Sequence, residues 1–469
     1  IELRRAEASS GGARASLAGH AARGAPDAAW QAQGRATLAE FDPALWWRGR
    51  EDSPWRRGPH QLNGSGEFDL TLPRAGGAEA PLDRLAALRG RAKFDIADSR
   101  LAGVPLRGRV ELQGDGSALR STAQAELDGN TLDAQGQLGS ARNGSGDRWT
   151  LTLAAPALAR LAPLAKLAGV GEDKGTELAG TLNARIEASG RWPALTTRGD
   201  ASAAALRAGT LQLRSATARW QAGTALDAPV DAEAELAGLA LGPARIESAR
   251  LRAQGSGREH RLELTAATSA RPPAWADALQ PGAVPGDGKT TTQARLTAQG
   301  GFVAGAANAI AGWRGSLQQI DARPAGADAA WLAARDVTLE VLGLDTGPAQ
   351  FVLQPGRAEV FGARLNWSRV AWAAAGSGTP ARIDAQAELE PLAVAPLLQR
   401  LQPDFGWGGD LRVRGHLALR SAPSFSADIV VERERGDLTV TDETGTQSLG
   451  LTDLRLGLGL AVGRKRVAR

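Results

Sequence analysis

Leu454, Leu456, Leu458, Leu460 and Val462 occupy every second position, with Arg455, Gly457, Gly459 and Ala461 between them. The same beat places Leu178, Leu182 and Ile186 in one segment, and Leu211 with Leu213 and Leu262 with Leu264 in two others. It recurs at Val337, Leu339 and Val341, and at Leu411 and Val413. Successive side chains of a β-strand point to opposite faces, so a period of two gives each strand one apolar and one polar face. The chain is expected to be all-β: a long twisted antiparallel sheet curled into an elongated open groove, with a few short interrupting helices. The alternating residues named above are the candidate lining of its apolar face.

Composition narrows how that face can be hidden. Apolar residues make up 43 % of the 469 positions, aromatics only 4 %, and glycine contributes 58. Much of the apolar share is alanine, so a single compact core would be thin. A repetitive array in which each unit borrows burial from its neighbours is favoured. The 55 basic and 51 acidic residues alternate along the strands instead of forming blocks. Nucleic-acid binding needs a basic stripe, and only the short end Gly463-Arg-Lys-Arg-Val-Ala-Arg469 is basic, which reads as a solvated terminus. There is no Cys, hence no disulfide framework or thiol chemistry. No run approaches the ~20 apolar residues of a membrane-spanning helix. Beginning at Ile1 and lacking Met, the chain reads as a piece of a longer protein.

Glycine, Asp-Gly and Asn-Gly are read as punctuation between about 35 short strands, a meander of roughly 170 Å if laid in one sheet. Asp128-Gly129-Asn130 is a tight hairpin candidate, and Asn63-Gly64 and Asn143-Gly144 are read the same way. Short helices interrupt the strands. Asp42-Pro43 pairs an N-cap with a first-turn proline; Leu82, Leu85 and Leu88 share a helical face, as do Leu158, Leu161, Leu164 and Leu167. Val394, Leu397, Leu398 and Leu401 fit the same spacing. A strand, a proline, a Leu-rich helix, a Gly loop and a new strand recur around Pro156 and Pro391, a degenerate internal repeat. The expected organisation is a β-groove over 1–270, a hinge loop over 271–290, and continuation of the groove over 291–469.

Motifs for chemistry are few. Gly282-Ala-Val-Pro-Gly-Asp-Gly-Lys289-Thr290 resembles a phosphate loop, but it has one spacer too many and leads into a strand-like segment, not a helix. Gly169-Val-Gly-Glu-Asp-Lys174-Gly-Thr176 transposes the lysine and glycine. His20, His60, His260 and His416 form no metal-spaced pair, and no nucleophile elbow is present. Asp231, Glu233 and Glu235 share a strand face that is read as solvated. Trp46, Trp47 and Trp55 among Arg48, Arg50, Arg56 and Arg57 read as a capped end of the apolar layer. Asn63-Gly-Ser65, Asn143-Gly-Ser145 and Asn366-Trp-Ser368 fit the glycosylation pattern but carry no weight in a chain of bacterial composition. No catalytic residue, metal or cofactor is expected.

A resemblance becomes specific in the second half. Gly255-Ser-Gly-Arg-Glu-His260-Arg-Leu-Glu-Leu264, Gly312-Trp-Arg-Gly-Ser-Leu317, the Leu389-Glu-Pro391 helix and Trp407-Gly-Gly-Asp-Leu411 are similar to the middle of the TamB family. That family comprises the inner-membrane subunits of the translocation and assembly module, in the AsmA-like group. Val431-Glu-Arg-Glu-Arg-Gly-Asp-Leu438 and Leu449-Gly-Leu-Thr-Asp-Leu-Arg-Leu456 resemble versions from GC-rich relatives. The likeness covers roughly residues 150 to 469.

The resemblance implies a periplasmic trough anchored to the inner membrane by a segment outside this chain. It also implies an outer-membrane partner of the Omp85 type, TamA, reached through parts absent here. Its implied work is non-enzymatic: conducting phospholipid acyl chains between the membranes and supporting the assembly of outer-membrane proteins such as autotransporters. Two rivals keep much of the same fold. The client could be a nascent β-barrel protein templated on a strand edge, or the chain could be a closed β-solenoid adhesin with a dry core. A polysaccharide-cleaving β-helix would need a carboxylate cluster that the sequence does not offer.

Overall fold

A computed structural model describes residues 2–25, 28–45, 53, 56, 58–72, 81–139, 146–167, 178–191, 194–242, 244–282, 284, 290–306, 310–345, 347, 349–376, 380–422 and 424–462. The chain is all-β, as the alternation implies. Among the described residues, 25 strands are hydrogen-bonded in long antiparallel sheet, and three more form a small separate sheet. The helices are short: α1 (Pro81–Ala86), α2 (Ala162–Leu167), α3 (Ala276–Leu279) and α4 (Ala395–Leu401). The chain divides into two compact units, Ile1–Ala244 and Arg245–Arg469. The segment 271–290, expected as a hinge, thus lies within the second unit, where it carries α3.

In the first unit, thirteen strands from Glu2–Ser10 to Pro229–Leu241 follow one another as antiparallel neighbours. The tight turn expected at Asp128-Gly129 is there. Leu127 pairs with Asn130, and both turn residues take positive φ, 47° and 80°. Asn63-Gly64 is not a turn but lies inside the strand Leu62–Leu72. Bulges interrupt the flanking strands at Leu38/Phe41 and Ile96/Ser99, and Asn63 satisfies backbone groups that these irregularities release. Its Oδ1 accepts from the Glu40 amide at 2.7 Å, and its Nδ2 donates to the Asp98 carbonyl at 2.6 Å. The strands run through many of their glycines, so they are fewer and longer than the sequence suggests.

The helices sit at the strand ends. The chain leaving α1 buries Ala86 and Leu88 on Leu119 and Leu138. It lies so close to Gly114 that any side chain there would collide with the Leu88 carbonyl. A buried ion cluster fastens this helix. Arg191 grips Asp147 with two nitrogens, Nε to Oδ2 at 2.7 Å and Nη2 to Oδ1 at 2.9 Å. The same guanidinium reaches Asp83 of α1 and the Gly139 carbonyl, while Asp147 also accepts from the Gly139 amide at 2.7 Å. Breaking such a pair from one side leaves a buried charge, at a cost of about 3–5 kcal/mol. At the opposite strand ends, the turn Leu158–Leu161 leads into α2 and packs on the strand Leu178–Ser189.

The second unit repeats the plan. Its small sheet, Trp407–Gly409, Leu438–Asp442 and Gly445–Ser448, is stitched by Asp437. That carboxylate accepts from the Ser448 hydroxyl and from the amides of Leu438, Gly450 and Leu451, the last three at 2.8, 2.7 and 2.9 Å. These donors, the Ser448 hydroxyl foremost, hold the Asp437 carboxyl down to about 2. A depressed carboxylate stabilises the fold fully above its unfolded value of about 3.9 and loses that contribution as pH falls through the folded value. The amides of Gly450 and Leu451 should therefore keep their hydrogen-exchange protection at pH 5 and lose it as pH drops from about 4 toward 2. In Asp437→Asn the loss should be present already at pH 5.

Candidate functional site

The paired register shows what the alternation builds. In the first unit one apolar or glycine residue per strand lines up across all thirteen strands. The row runs Ala6, Leu17, Ala36, Gly66, Phe94, Val110 and Ala123. It continues through Ala134, Leu151, Ile186, Gly199, Trp220 and Ala232. At ~4.8 Å per strand, its twelve steps span roughly 58 Å. In the second unit, an equivalent row passes through Leu251, Leu264, Leu296, Ile320, Ala334 and Ala358. It goes on through Leu365, Leu389, Gly415, Val431 and Leu456.

The opposite face is charged and wet. Arg185, Asp200, Arg219 and Glu233 face one another in register across four strands. Glu187 takes two hydrogen bonds from Arg198, which hold its carboxyl below the usual range. Lys93 and Arg109 do the same for Asp95. Exposed pairs of this kind add little stability each, but opposite charges in register penalise a one-residue slip that would turn the apolar row to solvent. Two shallow hollows of the first unit lie on this charged side. One, of about 860 Å³, is lined by Arg35, Glu67, Asp69, Arg91 and Arg120 among others. The second, about 470 Å³, lies between Arg185, Asp200 and Glu233. Both are spaces between splayed side chains of mixed sign in open water, and neither offers a preorganised ligand set.

The apolar face of the first unit stays open. Leu17, Val110, Leu132 and Trp149 are each 36–40 % exposed. The candidate lining residues Leu178, Leu182, Ile186, Leu211 and Leu213 are half-buried. A sealed solenoid core would leave such positions dry. The second unit is more closed. Leu262 and Leu264 are half-buried, and Leu339 and Val341 pack on a cluster that buries Val337 to 2 % with Trp313 and Leu317. Leu411, 1 % exposed, and Val413 lie in the cluster with Ala395 of α4, against which Leu454 also packs. A guest cannot touch these buried residues in this conformation. Arg400 of α4 donates to the Ala278 and Leu279 carbonyls at the end of α3, both at 2.9 Å, so the two helices cover one rim together. Leu456, Leu458 and Leu460 are the most open, at 49–63 %. Val462 pairs through its backbone with Phe425.

The sequence reading missed the rings and their supports. Each aromatic in the interior of a first-unit strand faces a glycine on the preceding strand: Phe68 on Gly34, Phe94 on Gly66, Trp149 on Gly136, Trp220 on Gly199. Trp313 covers Gly300 and Gly315, and Trp367 covers Gly356. Glycine is 58 of 469 residues, about one position in eight, so chance facing does not account for this. The only signal that could have found the pairs is the register itself.

Little else gathers chemistry. His260 is buried; its Nε2 accepts from the Trp313 indole N–H at 2.9 Å, so its Nδ1 carries the proton donated to the Ser256 carbonyl at 2.9 Å. Both nitrogens are thus used structurally. Asp231, Glu233 and Glu235 face Gln221, Arg219 and Thr217 on the charged side. Among the described residues no His/Cys/Asp/Glu group could hold a metal ion, and no helix is long and apolar enough to cross a membrane. Trp46, Trp47, Trp55, Arg48, Arg50, Arg57, Asn143-Gly144, the 169–176 loop, most of the 282–290 loop and the basic end 463–469 lie outside the described residues. Compared with protein-family models, curated proteins and solved structures, the chain finds no match.

The degree of closure predicts how each position tolerates charge. Ile186→Arg and Leu456→Arg should fold with near-parental circular dichroism, the new side chain reaching water. Val337→Arg should unfold its cluster, because a buried unpaired charge costs several kcal/mol. Urea melts of the three variants distinguish these outcomes.

Proposed function

We propose that the chain is a non-enzymatic, TamB-like segment of the cell envelope whose apolar sheet faces shield lipid acyl chains while headgroups stay in water. The single observation that carries this reading is the unbroken apolar row across thirteen strands, left partly open to solvent. At ~0.8 kcal/mol per buried methylene, a chain of about 16 carbons gains roughly 13 kcal/mol of gross transfer free energy on such a face. Because every position of the row is apolar or glycine and none is charged, no single step holds the chain fast, and sliding is cheap. A conduit needs this combination of strong retention and weak position dependence.

On this reading the protein works in the periplasm between an inner-membrane anchor and an Omp85-type outer-membrane partner. Phospholipid is the guest, and outer-membrane protein assembly benefits from the delivery. The resemblance of its motifs to the TamB family supports this reading.

Native mass spectrometry of the protein purified from a Gram-negative host tests the guest directly. Bound phospholipid is expected, and Ile186→Arg with Val110→Arg should deplete it while leaving the charge-state distribution of the folded chain unchanged. Recovery of barrel-protein fragments without lipid would transfer the role to a protein client. A parent protein free of both would end the conduit reading.

A further inference from the structure

We propose that the glycines beneath the aromatic rings set the clearance of the apolar face and so decide how bulky a guest it admits. The inference rests on the reading of that face as a lipid floor. Glycine inside a strand weakens it, through lost conformational entropy and absent side-chain packing. The chain nevertheless places glycine opposite every interior aromatic of the first unit and opposite Trp367 of the second, and lays the Trp313 ring over Gly300 and Gly315. A ring resting on a glycine backbone lies about one van der Waals contact, roughly 3.5–4 Å, above the neighbouring strand. Placed opposite a side chain, the same ring must tilt away from the sheet into the space a guest would occupy.

Two sites isolate this effect from backbone strain, because neither glycine takes a positive φ. The three atoms nearest a Cβ on Gly356 all belong to the Trp367 ring, Cζ2 at 2.6 Å, Cε2 at 3.0 Å and Cη2 at 3.3 Å. That ring cannot slide sideways cheaply, since its Nε1 donates to the Gln354 carbonyl at 2.8 Å. A Cβ on Gly66 would come within 2.8 Å of Phe94 Cδ2, with the nearest backbone atom at 3.4 Å. At Gly34 and Gly199 the carbonyls of Ala18 and Arg185 also intrude, at 2.8 and 2.5 Å, so substitution there would confound the two causes. Gly66 and Phe94 lie in the thirteen-strand row itself. A lifted Phe94 therefore narrows the path at one step, and a conduit is limited by its narrowest step.

The test compares the parent with Gly66→Ala and Gly356→Ala, alone and together, and with the ring-removal variants Phe94→Ala and Trp367→Ala. Hydroxyl-radical footprinting reads the rings individually; Phe94 and Trp367 should each become more reactive when the facing glycine gains a methyl. Binding of a two-chain phospholipid should weaken about four-fold per glycine replaced, the equivalent of one methylene of lost burial. Binding of a single-chain lysophospholipid should change by less than about two-fold. Ring removal should shift the preference toward the bulkier lipid, and Gly66→Ala combined with Phe94→Ala should restore two-chain binding. Unchanged discrimination in the ring-removal variants would overturn the proposal, whether or not the glycine variants fold. Equal weakening for both lipids would overturn it too, assigning the glycines to stability alone. If the parent binds neither lipid, the floor itself is refuted, a result separate from any glycine effect.

Discussion

The antiparallel ladder is the constraint on which the rest depends. Each strand alternates its side chains, but alternation yields a continuous surface only if every neighbour is paired in the register that keeps apolar opposite apolar. In the first unit that condition holds across twelve successive pairings. A slip of one residue anywhere would turn a strand's apolar set to the wet side and part its charges from their partners. The register-matched pairs Arg185, Asp200, Arg219 and Glu233 make such a slip costly from the other face. The charged side thus contributes specificity more than stability, and the apolar side is kept continuous by residues that never touch it.

Where the strands stop, the apolar face needs an edge. The short helices supply it: α1 fastened by Arg191, Asp147 and Asp83 in the first unit, and α3 joined to α4 through Arg400 in the second. Of the two, the α1 end is where the structure accepts buried charge, with Arg191 held on Asp147. Between the edges the face is left half-open, and the two units differ in degree. Val337 and Leu411 are sealed, while Val110 and Ile186 are not. The same alternating pattern therefore produces both a closed core and an accessible floor, depending on whether a ring such as Trp313 or a helix such as α4 covers it.

How much of this was legible in the sequence follows from which interactions are local. The strand class, the Asp128-Gly129 hairpin, the N-cap of Asp42 on the Ala44 amide at 2.8 Å and the short Leu-rich helices all depend on residues a few positions apart. Asn63-Gly64 misled because turn propensity is local, while its role, feeding the bulged strands on either side, is set by Glu40 and Asp98. Reading mid-strand glycines as breaks inflated the strand count for the same reason: Gly66 is explained by Phe94, twenty-eight residues away. Of the candidate lining, the alternation named residues whose exposure it could not rank. It could not say that Val337 and Leu411 would be covered, since that depends on Trp313 and α4. The 271–290 segment, read as a hinge by composition, carries a short helix held by Arg400, 122 residues from Ala278, a contact no local pattern announces.

The account turns on whether the floor of the first unit is accessible and apolar at once. The chain has no native cysteine, so Ile186→Cys gives a unique site for a nitroxide spin label, and Arg185→Cys gives its control on the charged face. Power-saturation measurements with oxygen and a polar nickel chelate report whether each label sits in water or hydrocarbon. Without lipid both labels should be reached by the nickel reagent. On adding phospholipid, the label at 186 should lose nickel contact and gain oxygen contact, while the label at 185 stays unchanged. A label at 186 shielded from both reagents before lipid is added, or one indifferent to its addition, would contradict the account.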